Sequence, residues 1–211
     1  MIIAVDGPAG SGKSTISKLL AKELGLVYLD TGAMYRLFTL KMLKENISFS
    51  DSDKINELLE NLNINIENDR FYLDEKDVSE EIRKTDVAEN VSKTAAIKEV
   101  REKMVNLQRE FSKSKNVILD GRDIGTVVFP KADIKIFLVA DAKERAERRF
   151  KELQEKGENI SLDSIYENIL KRDRLDSTRE TSPLKKANDA IEVRSMCQIA
   201  AKRRRLPAKV R

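Results

Sequence analysis

The sequence predicts an α/β fold built on a doubly wound, five-stranded parallel sheet. Short apolar segments alternate along the chain with longer segments that have helical hydrophobic spacing, which is the pattern of a parallel sheet. Glycines, aspartates, threonine and arginine follow directly after the first three apolar segments. Ligands bind at the carboxyl ends of parallel strands, so we expect a ligand site at this edge of the sheet.

The composition indicates a globular protein. The chain has 211 residues, of which 40% are hydrophobic, and this is enough to bury a substantial core. No run approaches 18 consecutive apolar residues, and the N-terminal MIIAVDGPAG lacks the basic segment and the longer apolar run of a signal peptide. We therefore expect a cytoplasmic protein with no membrane partner.

Two features of the composition exclude several kinds of chemistry. Cys197 is the single cysteine, so no disulfide can form within the chain, and histidine is absent. The usual zinc sites and Ser-His or Cys-His catalysis are therefore excluded.

The net charge of +4 hides an asymmetry, because residues 193–211 contain seven Lys or Arg and no acid, so that the other residues carry −3. The negative charge of residues 1–192 does not indicate nucleic-acid binding.

The first predicted strand leads into a phosphate-binding loop. Residues 2–5 are apolar and partly β-branched, as a buried parallel strand requires. GPAGSGKST follows at once, matches the pattern G-x-x-x-x-G-K-[ST] from Gly7 to Ser14, and leads into an amphipathic helix. A strand, a glycine-rich loop and a helix in this order predict a nucleoside triphosphate site in a P-loop NTPase-type fold.

Each part of this loop has a chemical task. Backbone N–H groups of the loop and the positive end of the helix can hold phosphate oxygens. Lys13 can bridge the β- and γ-phosphates, and the Ser14 hydroxyl can bind Mg²⁺. We therefore predict ATP binding by the whole loop: Gly7, Pro8, Ala9, Gly10, Ser11, Gly12, Lys13, Ser14 and Thr15.

The next segments predict a second strand, several helices and a small β-structure. Residues 26–30 form the strand, and a helix with Thr31 as its cap candidate follows. DSDKINELLENL predicts a further short helix. The segments NINIE and FYLD flank the polar turn 68–70 and predict a hairpin outside the parallel sheet, and a longer helix is expected at about 97–113.

Three more strands complete the predicted sheet, at 116–120, 134–139 and 190–193. Asp120 ends the first of them, at the place where P-loop proteins hold Mg²⁺ directly or through water. Ser14 and Asp120 are therefore the candidate metal ligands. A charged segment follows the second of these strands, at about 141–158. We predict that it forms a lid whose arginines close over ATP: Arg145, Arg148 and Arg149.

Two classes of P-loop protein compete at this point, a phosphotransferase and a nucleotide-dependent switch. The sequence has no guanine-binding N-K-x-D motif, and residues 1–192 lack the basic composition expected of a nucleic-acid motor. Phosphoryl transfer to a small acceptor is therefore favoured. A phosphate acceptor is already an anionic nucleophile and needs no general base, which fits the absence of histidine. Arginines must then cancel the repulsion between the two anions, and four are candidates: Arg36, Arg122, Arg172 and Arg179.

The sequence resembles the bacterial cytidylate kinases, the (d)CMP kinase family of P-loop nucleoside monophosphate kinases. The resemblance extends from residue 2 to about 192, through DGPAGSGKST, LDTGAMYR, VSEEIR, VAENVS, DGRDIGTVVFP, IKIFL and RDRLDSTR. It implies a single domain over 1–192 with a lid and a monophosphate-binding insertion at about 36–110, which contains the small β-structure.

The resemblance also implies a reaction. ATP and CMP or dCMP would give ADP and CDP or dCDP, with Mg²⁺ and without a covalent intermediate, as a step of pyrimidine nucleotide metabolism. We expect a monomer with no nucleic-acid partner. The alternatives are a kinase of another monophosphate, such as UMP or AMP, and the nucleotide-dependent switch.

By motif position, the resemblance assigns the acceptor site residue by residue. The CMP phosphate would be held by Arg36, Arg122 and Arg179, the base by Ser92, Arg101 and Asp123, and the sugar by Arg172 and Asp176. We also predict that Thr31, which follows the second strand, binds CMP. Cytosine has an exocyclic amine that can donate to Asp123 and Ser92, and its ring acceptors can take hydrogen bonds from Arg101. Lys13, Arg122 and Arg179 are the expected catalytic residues.

The decapeptide KRDRLDSTRE at 171–180 also permits a simpler interpretation. Arg172 with Asp176, and Asp176 with Arg179, have the spacing of ion pairs on one exposed helix face. The resemblance reassigns these three residues to the ligand, whereas Asp173 and Arg174 keep the interpretation of exposed charges.

The C-terminal residues 193–211 do not fit the family pattern. Their apolar spacing is poor, and Pro207 interrupts them. We interpret them as an atypical basic tail, frameshifted or otherwise non-homologous. The alternative is a basic tail that binds RNA or a membrane.

Overall fold

The computed structural model describes residues 1–67, 69–113, 115–155 and 157–194. The hypotheses about the basic tail concern residues that, from 195 onward, lie outside the described ones. In chain order the elements are β1 (Ile2–Asp6), α1 (Lys13–Leu24), β2 (Val27–Asp30), α2 (Thr31–Lys44), α3 (Ser52–Glu60), β3 (Ile64–Glu67), β4 (Arg70–Leu73), β5 (Lys76–Asp77), α4 (Thr85–Thr94), α5 (Lys98–Ser112), β6 (Val117–Gly121), β7 (Ile134–Val139), α6 (Ala142–Glu155), α7 (Leu162–Thr178) and β8 (Ile191–Arg194).

The five predicted strands form one parallel sheet in the order β2-β6-β1-β7-β8, which confirms the predicted fold class. β1 lies in the middle, with β6 and β7 on its two sides. The register places Val5 opposite Asp120, and Asp120 opposite Asp30 on the far side. The polar residues after β1, β2 and β6 therefore meet at one edge of the sheet.

The alternation of side chains along β1 divides the core between two faces. Ile3 and Val5 pack with Ala21 of α1 on one face. Ala4 points the other way, into a larger cluster that α2, α3 and α5 complete with residues such as Phe38. No helix in the described parts of the chain combines the length and the apolar character needed to cross a membrane.

α6 and α7, which correspond to the predicted lid region and the helix after it, pack against each other through a hydrophobic cluster of their own. Ala146 and Leu153 of α6 meet Ile165 and Ile169 of α7. This cluster holds the two helices together as a unit apart from the sheet core.

The small β-structure has three antiparallel strands where the sequence predicted two. Arg70, which the sequence predicted to lie in the turn, belongs to β4 and lies opposite Glu67. β5 was missed because it consists of two exposed polar residues, which carry no hydrophobic signal. It pairs with β4 across a turn in which Asp74 and Glu75 have positive φ angles of 48° and 67°.

The cap of α2 is Asp30, not Thr31 as predicted. The Asp30 carboxylate accepts a hydrogen bond from the Ala33 N–H at 2.9 Å, and the helix begins at Thr31. The Thr31 hydroxyl donates to the carbonyl oxygen of Asp120 at 2.7 Å, so it is used to join α2 to β6. Either side chain can cap a helix, and the sequence alone does not distinguish them.

Gly7, where β1 turns into the P-loop, leaves no space for a side chain. Its φ angle is +148°, and a Cβ atom would lie 2.2 Å from the carbonyl oxygen of Leu138. We expect Gly7→Ala to lower the free energy of unfolding by about 3 kcal/mol or more, because both the backbone angle and the contact are unfavourable. Urea unfolding of the purified protein measures this change.

Gly25, the C-cap of α1, is the matched control. Its φ angle is +65°, but no heavy atom of the described residues lies within 4 Å of the added Cβ. Gly25→Ala should therefore cost about 1 kcal/mol, the backbone contribution alone. Equal losses for the two variants would show that the contact with Leu138 is not what excludes a side chain at Gly7.

Candidate active site

A cavity of about 410 Å³ opens at the carboxyl edge of the parallel sheet. Its walls come from the P-loop, the start of α2, the end of β6, and the helices α4 to α7. Most of the predicted site residues line it: Ala9, Gly10, Lys13, Ser14, Thr31, Arg36, Ser92, Arg101, Asp120, Arg122, Asp123, Arg145, Arg149, Arg172, Asp176 and Arg179.

The remaining predicted residues are not in the cavity wall. Five of them belong to the predicted ATP-binding loop and the start of α1: Gly7, Pro8, Ser11, Gly12 and Thr15. Arg148 is the exception among the lid arginines, since its Nε donates to the Glu144 carbonyl at 3.4 Å along its own helix. The structure therefore does not bring Arg148 to the cavity with Arg145 and Arg149, which lie one helical turn apart.

Lys13 is folded back over the P-loop and buried. Its Nζ donates to the Pro8 carbonyl at 2.7 Å. Burial, and next the positive charge of Arg122, lower the pKa of Lys13 to about 7. An anion beside this ammonium group would oppose both effects, so the loop favours a phosphate at this position.

Asp120 receives two side-chain hydrogen bonds. The Ser14 hydroxyl donates to Oδ2 at 2.9 Å and the Tyr28 hydroxyl donates to Oδ1 at 2.7 Å. Burial raises the pKa of Asp120, and the negative charge of Asp30 raises it further. A buried carboxylate beside a hydroxyl and a second carboxylate suits a hard divalent cation, so the oxygen atoms present here fit Mg²⁺.

Tyr28 is a site residue that the sequence did not reveal. It lies in the apolar segment VYLD, where an aromatic side chain is expected simply to pack in a strand. The available signal was its position two residues before Asp30, which places both side chains on the same side of β2. Its hydroxyl group orients the carboxylate of the candidate metal ligand.

Asp176 of α7 pairs with Arg122, which lies in the loop after β6, and not with Arg172 or Arg179. The Nε of Arg122 donates to Asp176 Oδ2 at 2.9 Å, with Asp176 almost fully buried. The two intrahelical pairs that the spacing permitted are therefore wrong.

Although burial raises the pKa of Asp176, the charge and hydrogen bond of Arg122 lower it overall. Burial and then Arg122 lower the pKa of Arg172 to about 10.

Asp123 and Arg101 form a buried ion pair in the cavity wall. Arg101 also donates from Nη1 to the Ala95 carbonyl at 3.1 Å and lies over the ring of Tyr35. Arg179 approaches the same carboxylate, with its Nη2 3.9 Å from Asp123 Oδ1. A carboxylate between two guanidinium groups gives this part of the cavity wall both hydrogen-bond acceptors and hydrogen-bond donors in fixed positions.

Asp173 faces inward, so its interpretation as an exposed charge is wrong. Its carboxylate accepts two hydrogen bonds from Arg145, at 3.1 and 2.5 Å. The same guanidinium group donates to the carbonyls of Ala9 in the P-loop at 2.9 Å and of Ala140 at 3.1 Å. Arg145 thus joins the P-loop, the end of β7 and α7.

Comparisons with known proteins agree with this geometry. The family model described as cytidylate kinase matches residues 3–202. The chain belongs to the cytidylate kinase family. The cytidylate kinase of Fusobacterium nucleatum is 57% identical over 193 residues, which are 92% of this chain and 88% of that protein. The cytidylate kinase of Clostridioides difficile is 52% identical over 193 residues, which are 92% of this chain and 89% of that protein.

A solved shikimate kinase from Bacteroides thetaiotaomicron is a more distant match. It aligns over 87% of this chain and 83% of its own with a TM-score of 0.44 and 14% identity, which is too little to assign a site. Membership of the cytidylate kinase family makes this protein a phosphotransferase with a P-loop kinase fold.

The ion pair of Arg145 and Asp173 gives a testable consequence for this cytidylate kinase family member. Asp173→Asn keeps the shape of the side chain but leaves the buried Arg145 guanidinium without its counter-charge. Because Asp173 is partly exposed, we expect the free energy of unfolding to fall by about 2 kcal/mol, less than for a fully buried pair. Urea unfolding of the ligand-free protein measures the change.

Glu167→Gln is the matched control, because Glu167 lies exposed on the same helix. It should change the free energy of unfolding by no more than about 0.5 kcal/mol. If Asp173→Asn is as stable as this control, the ion pair does not hold α7 to the P-loop.

Proposed function

We propose that this protein transfers the γ-phosphoryl group of ATP to CMP or dCMP, giving ADP and CDP or dCDP. The observation that carries the proposal is a single cavity whose wall contains both a P-loop and the Asp123–Arg101 pair. Family membership supports a nucleoside monophosphate as the acceptor, and the side chains around Asp123 and Arg101 favour cytosine.

ATP would bind at the P-loop. The loop N–H groups and the start of α1 would take its phosphates, and Lys13 would contribute its positive charge. Arg145 and Arg149 face the same space from α6 and would close over the triphosphate. Excluding water in this way favours transfer to the acceptor over hydrolysis.

Mg²⁺ would be held by Ser14 and Asp120, whose oxygen atoms lie together beside the P-loop. When bound, the ion supplies positive charge to the phosphates of ATP. The Tyr28 hydroxyl keeps the Asp120 carboxylate in its present orientation. Because Asp120 is buried next to Asp30, the cation would also relieve the repulsion between these two carboxylates.

The acceptor phosphate would lie among Arg36, Arg122 and Arg179. The three guanidinium groups face the cavity from α2, from the loop after β6 and from the end of α7. They would offset the repulsion between the two phosphate groups that must approach each other. We assign catalysis to Lys13, Arg122 and Arg179 on this basis.

Arg172 and Asp176 would hold the sugar, and Thr31 lies in the wall nearby. The Asp176 carboxylate has one oxygen bound to Arg122 and can accept further hydrogen bonds from hydroxyl groups. Its pairing with Arg122 would thereby link sugar binding to the position of a catalytic arginine.

The base would be selected by Asp123, Ser92 and Arg101. The amine of cytosine can donate to the Asp123 carboxylate and to the Ser92 hydroxyl oxygen, while Arg101 donates to the ring acceptors. All three side chains are almost fully buried. Uracil has a carbonyl group in place of the amine, so it would set an acceptor against the Asp123 carboxylate and lose the hydrogen bond that the amine donates. The loss of a hydrogen bond to a buried charged group costs about 2 kcal/mol or more.

No general base is needed for this reaction, because the attacking oxygen belongs to an anionic phosphate. The absence of histidine from the chain fits this chemistry. The monomeric state and the cytoplasmic location stay predictions from the sequence.

An acceptor panel tests the proposal. ADP formation would be followed with ATP and Mg²⁺ and with CMP, dCMP, UMP, AMP, GMP or shikimate as the acceptor. We expect CMP and dCMP to give the highest kcat/KM, because their base satisfies Asp123, Ser92 and Arg101 together. If CMP gives no more ADP than the reaction without acceptor, the proposal is wrong.

A pair of variants separates base selection from phosphoryl transfer. Asp123→Asn replaces a pure acceptor with a group that can also donate, so uracil regains a partner. We expect the preference for CMP over UMP to narrow by about tenfold or more. Lys13→Ala should abolish activity with both acceptors. The values of kcat/KM for CMP and UMP measure the effect of each variant. If Asp123→Asn lowers kcat/KM equally for the two substrates, Asp123 does not select the base.

A further inference from the structure

The turn that follows Asp123 fixes the backbone of that residue. It comprises Ile124–Val128, one π-type turn between β6 and β7, which we name the 124–128 turn. The Asp123 carbonyl accepts hydrogen bonds from the N–H groups of Val127 at 2.8 Å and Val128 at 3.1 Å. Any movement of the turn therefore moves Asp123.

Asp6 holds the beginning of the 124–128 turn. Its buried carboxylate, at the end of β1, accepts hydrogen bonds from the N–H groups of Ile124 at 2.8 Å and Gly125 at 2.7 Å. This contact ties the start of the turn to β1, the strand that leads into the P-loop.

Arg109 of α5 holds the end of the same turn. Its Nε donates to the Val128 carbonyl at 3.0 Å, and its Nη2 donates to the Val127 carbonyl at 2.9 Å. The last carbonyls of a helical turn have no partner within it, and a cation there is favourable. The planar guanidinium group can reach two adjacent carbonyls at once.

α5 therefore contacts this region at two points. Arg101, eight residues before Arg109, pairs with Asp123, and the two arginines lie about 12 Å apart along the helix axis. Arg109 sets the position of α5 against the 124–128 turn, and so sets where Arg101 lies relative to Asp123. Arg109 itself is not among the described residues that line the cavity.

We infer that Arg109 is a positioning residue for base selection, acting through the 124–128 turn on the Asp123–Arg101 pair. The inference rests on the proposed function, since it requires these two side chains to bind the base. Hydrogen-bonding groups must be held to within a fraction of an ångström to discriminate between ligands, and two donors on one side chain provide this restraint.

Arg109→Met tests the inference, because it keeps an unbranched side chain and removes both donors. The preference for CMP over UMP, as the ratio of kcat/KM values, should fall about tenfold, mainly through a higher KM for CMP. The KM for ATP should stay unchanged. Arg109→Lys keeps a charged donor for the two carbonyls and should recover most of the preference.

Arg70→Met is the matched control. Arg70 is an exposed arginine of the small sheet whose partner is Asp77, and it should leave both kcat/KM values unchanged. A normal CMP preference in Arg109→Met would overturn the inference. Equal losses on CMP and UMP would overturn it as well, because they indicate a general structural role. If the unmodified protein shows no CMP preference at all, the proposed function itself is contradicted.

Discussion

The pairing of buried charges around one cavity is the constraint on which the rest of this structure depends. The three pairs are Arg101 with Asp123, Arg122 with Asp176, and Arg145 with Asp173. Each pair joins two different elements, so that α5, α6 and α7 are all tied to the edge of the sheet or to one another. An unpaired charge at such a depth costs more than the pair gains, so the helices can only pack where their partners lie.

The same constraint favours an anionic ligand. Burial and the positive charge of Arg122 lower the pKa of Arg172 to about 10 and the pKa of Lys13 to about 7. The neighbouring carboxylates do not offset these two effects. A phosphate group between them would reverse this effect by favouring their charged forms. Repulsion among cations in the ligand-free cavity and affinity for the two proposed phosphate-bearing substrates would thus have one physical origin.

Local sequence patterns were sufficient to predict the strands of the parallel sheet and the P-loop, but not β5 of the small sheet or the partners of the charges. The five strands differ from their predicted bounds by no more than one residue at either end, because their apolar runs are bordered by polar residues. In α7, by contrast, charges occur on every face, so spacing could not show that Asp173 and Asp176 both turn inward. Their partners, Arg145 and Arg122, come from other elements, so those contacts depend on how α6 and the loop after β6 lie against α7.

Asp6 lowers the stability of the folded protein at neutral pH but holds the backbone of the 124–128 turn in place. Burial, opposed by the hydrogen bonds from Gly125 and Ile124, raises the pKa of its carboxyl group from 3.8 to about 6. A raised pKa means that the folded protein binds this proton more tightly than the unfolded chain does. The stability that the group contributes is complete below the unfolded pKa and is lost as the pH rises through about 6. At neutral pH the ionised Asp6 therefore costs stability. Its charged oxygens accept both N–H groups and hold the turn behind Asp123, so the fold keeps a costly buried charge where it orients the residue proposed to select the base.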